Sequence, residues 1–225
     1  MSVVFREQSE KWKPLVLAHV SNVIAHIHDY IVRLLSHVCL DIQVRDRLWN
    51  DLIQAEVHKA YNRAIEHARF LLQIECDGRP STFNHYFNSE LQKKRLDRFN
   101  ATIAKKPVWH DDAKNEYLPT ASLRSLVVDK DNMQQVCEDI LDVLASYYTV
   151  SRKRVVDAIC RQVIAHFLLD GSQSPLKVFS PELVMGLGDE QLELIAGEDA
   201  ETRERRTMLE AETRNLEAAM KLLRS

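Results

Sequence analysis

The sequence predicts an all-α protein, an elongated antiparallel helical bundle, on three observations. Residues 131–170 carry an unbroken helical pattern. Apolar Met133, Val136, Ile140, Val143, Tyr147 and Val150, then Val155, Ile159, Val163 and Phe167, recur three to five apart, with no Pro or Gly between them. Turn-formers are scarce, with 5 Gly and 6 Pro in 225 residues, so the elements are few and long. Two upstream stripes are joined by only a few residues, which implies a sharp break or, the favoured reading, an antiparallel hairpin. At 1.5 Å per residue the 131–170 element would be about 60 Å long, a length that suits a rod. One such helix cannot bury its stripe alone, so other long helices must lie against it.

Taken in order, residues 1–12 are a lead-in, and Pro14 sits near a helix start, where its missing N–H costs little. The first helix spans about 14–39, with Leu15, Ala18 or His19, Val23, Ile27, Tyr30 or Ile31, Leu34 and Val38 as its stripe. Asp41 is a candidate cap for the second, about 43–75, with Val44, Leu48, Leu52, Val57, Tyr61, Ala64, Ala68 and Leu71. Asp77-Gly78-Arg79-Pro80 is a helix stop. Residues 76–130 are less periodic, broken by Pro107 and Pro119. Within them Lys93, Lys94, Arg95, Arg98, Lys105 and Lys106 face one acid, Asp97. The plain reading is a solvated loop or short helix. The sharper one is a contact surface for anionic lipid or an acidic partner, each basic residue contributing ~1 kcal/mol at such a membrane. Phe83, Tyr86 and Phe87 are expected to tether this segment to the bundle, and Trp109 to tether it or meet a partner.

The long helix opens on Asp131 with Gln134 three residues on, an acidic variant of the capping box. It closes at Gly171-Ser172-Gln173-Ser174-Pro175. A second apolar segment, about 176–195, starts a helix at Ser180-Pro181, Ser as cap and Pro at the first position. Gly186 and Gly188 interrupt its middle. After a break at 196–199, a last helix, about 200–224, lines up Leu209, Leu216, Ala219, Met220 and Leu223, with charges on its other faces. One narrow stripe of this kind fits a two- or three-helix contact.

Composition excludes several functions. A net charge of −3 gives no global signal for nucleic acid. Tyr147-Tyr148 beside Arg152, Lys153 and Arg154 reads as helix packing with a solvated basic face. Cys39, Cys76, Cys137 and Cys160 stand singly, as reduced thiols of a cytosolic protein do. No run of about 18 apolar residues suggests a membrane span. Arg6, Glu7, Glu10 and Lys11 come too early for a signal peptide. His26 and His28 point about 200° apart on a helix and cannot share a metal. No HExxH, GxSxG or GxxxxGK[ST] pattern occurs, so neither a hydrolase site nor a nucleotide-hydrolysing loop is expected.

The segment Cys137–Asp157 resembles the opening of the GTPase effector domain of dynamin-like large GTPases. Tyr147-Tyr148, Arg152-Lys153-Arg154 and Val155-Val156-Asp157 stand in matching places, and Gln162-Val163 follows in step. Leu168-Leu169-Asp170-Gly171-Ser172-Gln173-Ser174-Pro175-Leu176, Phe179-Ser180-Pro181, Asp189-Glu190-Gln191-Leu192 and Ile195-Ala196-Gly197-Glu198 continue the series. Upstream, Asn84-His85-Tyr86-Phe87-Asn88 and the Phe5…Trp12 lead-in look like the middle domain of fungal dynamin-related and Mx-like proteins.

The resemblance implies a dynamin-type stalk. Residues 1–130 would be the C-terminal part of the middle domain, with two stalk helices and a tip region at 76–130 that in relatives meets membranes or targets. Residues 131–225 would be the effector domain: stalk helix 131–170, a second segment 176–195, a hinge at Gly197, Glu198 and Asp199, and a bundle-signalling helix 200–224 with Leu209, Leu216, Met220 and Leu223 on its working face. Leu183, Val184 and Leu187 would lie where relatives build a stalk–stalk contact. The chain would hold no GTPase domain, so it would be no enzyme and carry no cofactor, with GTP and Mg belonging to the parent's GTPase domain. Its partners would be itself, that domain and an anionic membrane reached through 76–130, and its setting cytoplasmic or peripheral at membranes. The expected function is self-assembly and coupling of GTPase-head movement to the stalk, in membrane remodelling. The alternative is a helical adaptor or lipid-binding module that works through the basic segment 91–106.

Overall fold

The computed structural model describes residues 2–105, 109–110, 116–117 and 131–224. The protein is all-α. Its helices are α1 (Ser2–Ser9), α2 (Trp12–Val38), α3 (Ile42–Arg47), α4 (Gln54–Asp77), α5 (Tyr86–Ile103), α6 (Asn132–Ala158), α7 (Pro181–Met185), α8 (Asp189–Ala196) and α9 (Ala200–Arg224). A π-helical stretch, Leu48–Ile53, joins α3 to α4, and a second, Ile159–Asp170, prolongs α6. Pro175–Lys177 is a 3-10 turn. Among the described residues the one sheet is the pair β1 (Trp109–His110) and β2 (Glu116–Tyr117), antiparallel, with Trp109 opposite Tyr117. Pro107, Pro119, Lys106 and the Trp109 side chain lie outside the described residues.

The chain divides into two compact units. The first holds Met1–Ala25 and Tyr61–Gly171. Its core is built on α4, where Ala64, Ala68, Leu72 and Cys76 recur every fourth residue and are all buried. Side chains of α6 and its π extension reach it, and their Tyr147, Val150, Val155, Ile159 and Val163 are buried. The two run antiparallel: Glu75 meets Ser151 and Arg154, whereas His67 meets Gln162 at 2.9 Å. Helix α5 lies antiparallel on α6 as well, with Tyr86 reaching Lys153 and Arg98 reaching Glu138. Phe5 of α1 seals one end, its ring 4.9 Å from that of Tyr147.

The second unit holds His26–Ala60 and Ser172–Ser225. Ile27, Ile53, Val57 and Ile195 are buried there. Asp41 caps α3 as its sequence position predicts, its Oδ1 accepting from the backbone N–H of Gln43 (2.8 Å) and Val44 (3.1 Å). Ser180 caps α7 likewise, through the Leu183 N–H. Gly186 and Gly188 break the expected 176–195 segment into α7 and α8, and the Gln191 side chain accepts from the Gly188 N–H.

Several expectations are corrected. Asp131 stands at the N-cap of α6 but makes no side-chain cap bond, and Gln134 turns to Glu138 instead of reaching back. The first part of the α6 stripe is open: Met133, Val136 and Ile140 are exposed. Residues 86–103 of the expected tip region take the helical form that the plain reading allowed, and Arg95 and Arg98 find acidic partners on α6. Ser2–Val38 does contain a stretch apolar enough to cross a membrane by length and composition, with hydropathy 1.3. His19, His26, His28 and Asp29 interrupt the run of apolar residues without lowering its mean below that mark. Only 11% of that stretch is buried, Val20 and Ile27 being its buried residues, and Asp29 forms an exposed ion pair with Arg33.

Candidate functional site

Among the described residues no group of three or more His, Cys, Asp or Glu is placed to hold a metal ion. The four cysteines are free, Cys76 buried and Cys137 and Cys160 exposed. What the fold offers is a set of surfaces.

The first is in the second unit. Leu183 and Leu187 are half-buried and Val184 is exposed, on and just after α7, where the Ser180 cap fixes the start of the helix. In the same unit Tyr30, Ile31, Leu34, Leu35, Leu176 and Phe179 line an apolar groove of about 280 Å³. The next is α9. Every described side chain of this helix is exposed, Leu209, Leu216, Met220 and Leu223 included. Its apolar stripe is thus open to solvent in the described structure, the kind of face a docking partner can cover.

Gly197, Glu198 and Asp199 form the non-helical link between α8 and α9. A Cβ on Gly197 would lie 2.1 Å from the Glu193 carbonyl oxygen, so only glycine lets the chain leave α8 here. Asp199 starts α9 by accepting from the Thr202 N–H at 2.6 Å. That backbone bond, joined by the Thr202 hydroxyl and the charge of Arg47, holds its carboxyl below the usual carboxylate range. Glu193–Arg203 and Glu198–Arg206 ion pairs cross the link. All four side chains are open to solvent, so these pairs steer the angle more than they lock it.

The basic set is split. Lys93, Arg95 and Lys105 are exposed and Lys94 is half-buried, while Lys106 lies outside the described residues. Arg98 turns inward and meets Glu138 at 2.7 Å, Asp139 at 3.0 Å and Asp142 at 2.9 Å. Burial works against its charge, but the bond to Asp139 and the charges of Asp142 and Glu138 more than offset it, and its pKa is raised. Arg98 thus holds α5 on α6 and is not available to a ligand. Nor is the 152–154 triplet simply solvated. Lys153 stands 4.4 Å from the centre of the Tyr86 ring and donates to its hydroxyl, and Arg154 is bound by Glu75. Phe83, expected as a tether, is fully exposed, whereas Tyr86 and Phe87 are half-buried. The element that tethers 79–84 is Tyr147, whose hydroxyl accepts from the Ser81 N–H and donates to the Ser81 carbonyl. Nothing in the local sequence marks that pairing across 66 residues.

Residues 132–225 match the family model of the dynamin GTPase effector domain. That segment, α6 to α9, is therefore similar to a dynamin-family effector domain. No curated protein and no solved structure matches the chain.

Proposed function

We propose that this chain is the assembly and effector region of a dynamin-like GTPase, of the fungal dynamin-related or Mx-like kind, with residues 1–130 as the C-terminal part of its middle domain. The observation that carries the reading is α9: a helix matched to an effector domain whose whole apolar stripe is left open. Its partner is a GTPase domain, docked on Leu209, Leu216, Met220 and Leu223, and GTP and Mg bind there. The chain itself works by packing and bending, not as an enzyme. Leu183, Val184 and Leu187 make the contact between copies, and repetition of one such contact yields filaments. Gly197, Glu198 and Asp199 act as the hinge that passes head movement on. The setting is cytoplasmic, at membranes under remodelling.

Sedimentation tests this directly. The chain is expected to show concentration-dependent association that Leu187→Asp weakens. A species that stays monomeric at all concentrations and ignores the substitution refutes the assembly reading. The exposed Lys93, Arg95 and Lys105 favour a second reading, an adaptor that binds anionic lipid through α5. Vesicle co-sedimentation separates the two: loss of binding on reversing Lys93, Lys94 and Arg95 to Glu, with association intact, supports the adaptor.

A further inference from the structure

The long helix changes its winding partway. Up to Ala158 it is α-helical, and Ile159–Asp170 is π-helical, its bonds closing on the residue five back. The last of them is the Gly171 N–H on the His166 carbonyl at 2.8 Å. A Cβ at 171 would lie 2.3 Å from that same oxygen, so this ending needs glycine although its φ of −62° is ordinary.

The core positions record the change. Val155, Ile159 and Val163 are buried at spacings of four, and the next buried residue is Leu168, five further on, at 0% exposure. In an α-helix five residues carry a side chain about 140° past the starting face, so Leu168 would leave the face of Val163. Four residues carry it only about 40° past, so Phe167 would take the inward place. The π winding, with more residues per turn, seats Leu168 and leaves Phe167 half-buried, its ring 4.8 Å from that of His67.

We propose that residues 159–170 are a two-register element: a π register with Leu168 in the core, and an α register in which Phe167 replaces it. Both side chains are large and apolar, so each fills the place the other leaves. His67 is the latch of the π register, because it holds the Phe167 ring and the Gln162 side chain (2.9 Å) at once. Passing to the α register breaks the ring pair, feeds the surplus residue into the 171–174 link, and turns the face that 164–170 presents by about one residue, ~100°. This inference concerns the chain's own helix and does not rest on the assembly reading.

The test uses the full chain with fluorophenylalanine incorporated, the Phe167 resonance being assigned by its loss in Phe167→Leu. The H₂O/D₂O isotope shift of that resonance reads the exposure of the ring. Leu168→Ala empties the core place and is expected to draw Phe167 in, cutting the isotope shift to less than half. An unchanged or larger shift overturns the proposal. Deletion of His166 gives a second readout should Leu168→Ala not fold. It puts Leu168 four residues after Val163, and the segment is expected to become α-helical with Tm at or above that of the parent. A lower Tm overturns the proposal.

Discussion

Removing Arg98 should loosen α5 from α6 in a way that salt reveals. The guanidinium sits 2.7–3.0 Å from three carboxylates and its side chain is 27% exposed. A buried charge-assisted bond contributes about 1.5–3 kcal/mol and an exposed pair about 0–1 kcal/mol. The clamp lies between these limits, since Asp142 is 14% exposed and Asp139 42%. Arg98→Ala is therefore expected to cost about 2 kcal/mol, part of it from three acids left facing one another. For a chain of this size that lowers Tm by about 4–8 °C. Arg98→Lys keeps the charge but loses the fork, and should recover about half of the loss. The assay is calorimetry at low and at high ionic strength, with hydrogen exchange read along 86–103. Screening of the acids must shrink the defect at high salt. A Tm within about 1 °C of the parent, or a defect that grows with salt, refutes the reasoning.

Other outcomes follow from the same contacts. Tyr147→Phe removes both bonds to Ser81 and should cost about 1 kcal/mol, with the Ser81 amide exchanging faster while the α6 amides stay protected. Leu72→Ala, at a core position 2% exposed, should cost about 2–5 kcal/mol in a denaturant titration. Asp199 has a folded pKa below its unfolded one, so its contribution is complete above the ordinary carboxylate range and is lost as pH falls through the folded value. Helicity from α9 should fray on acidification below about pH 4, and Asp199→Ala should abolish that step in circular dichroism. Tyr61 is pushed up to about 12 by burial, so its contribution is full below about pH 10 and fades as pH rises toward 12. Absorbance titration should show one late-ionising tyrosine that Tyr61→Phe removes.

Much of this architecture is legible along the chain. The unbroken pattern over 131–170, the stops at Asp77-Gly78 and Gly171, and the caps at Asp41 and Ser180 all mark real boundaries, because helix ends are governed by the few residues beside them. The open stripe of α9 was visible too, as spacing alone. Arg98 was not separable from Lys93 or Arg95, because a run of like charges says nothing of which member meets acids 40 residues on. The same holds for Tyr147, which reads as one more stripe residue until Ser81 is brought to it.

By itself, then, the sequence determined the fold class, where most helices begin and end, and a segment similar to an effector domain. Local propensity, capping and apolar period are short-range effects, and they suffice for that. Tertiary packing alone decided which basic side chain is a structural clamp, which aromatic is a tether, and which of Phe167 and Leu168 enters the core. A period of four points to Phe167. Leu168 is the buried one because 159–170 is wound as a π-helix, and no spacing within 159–170 carries that information.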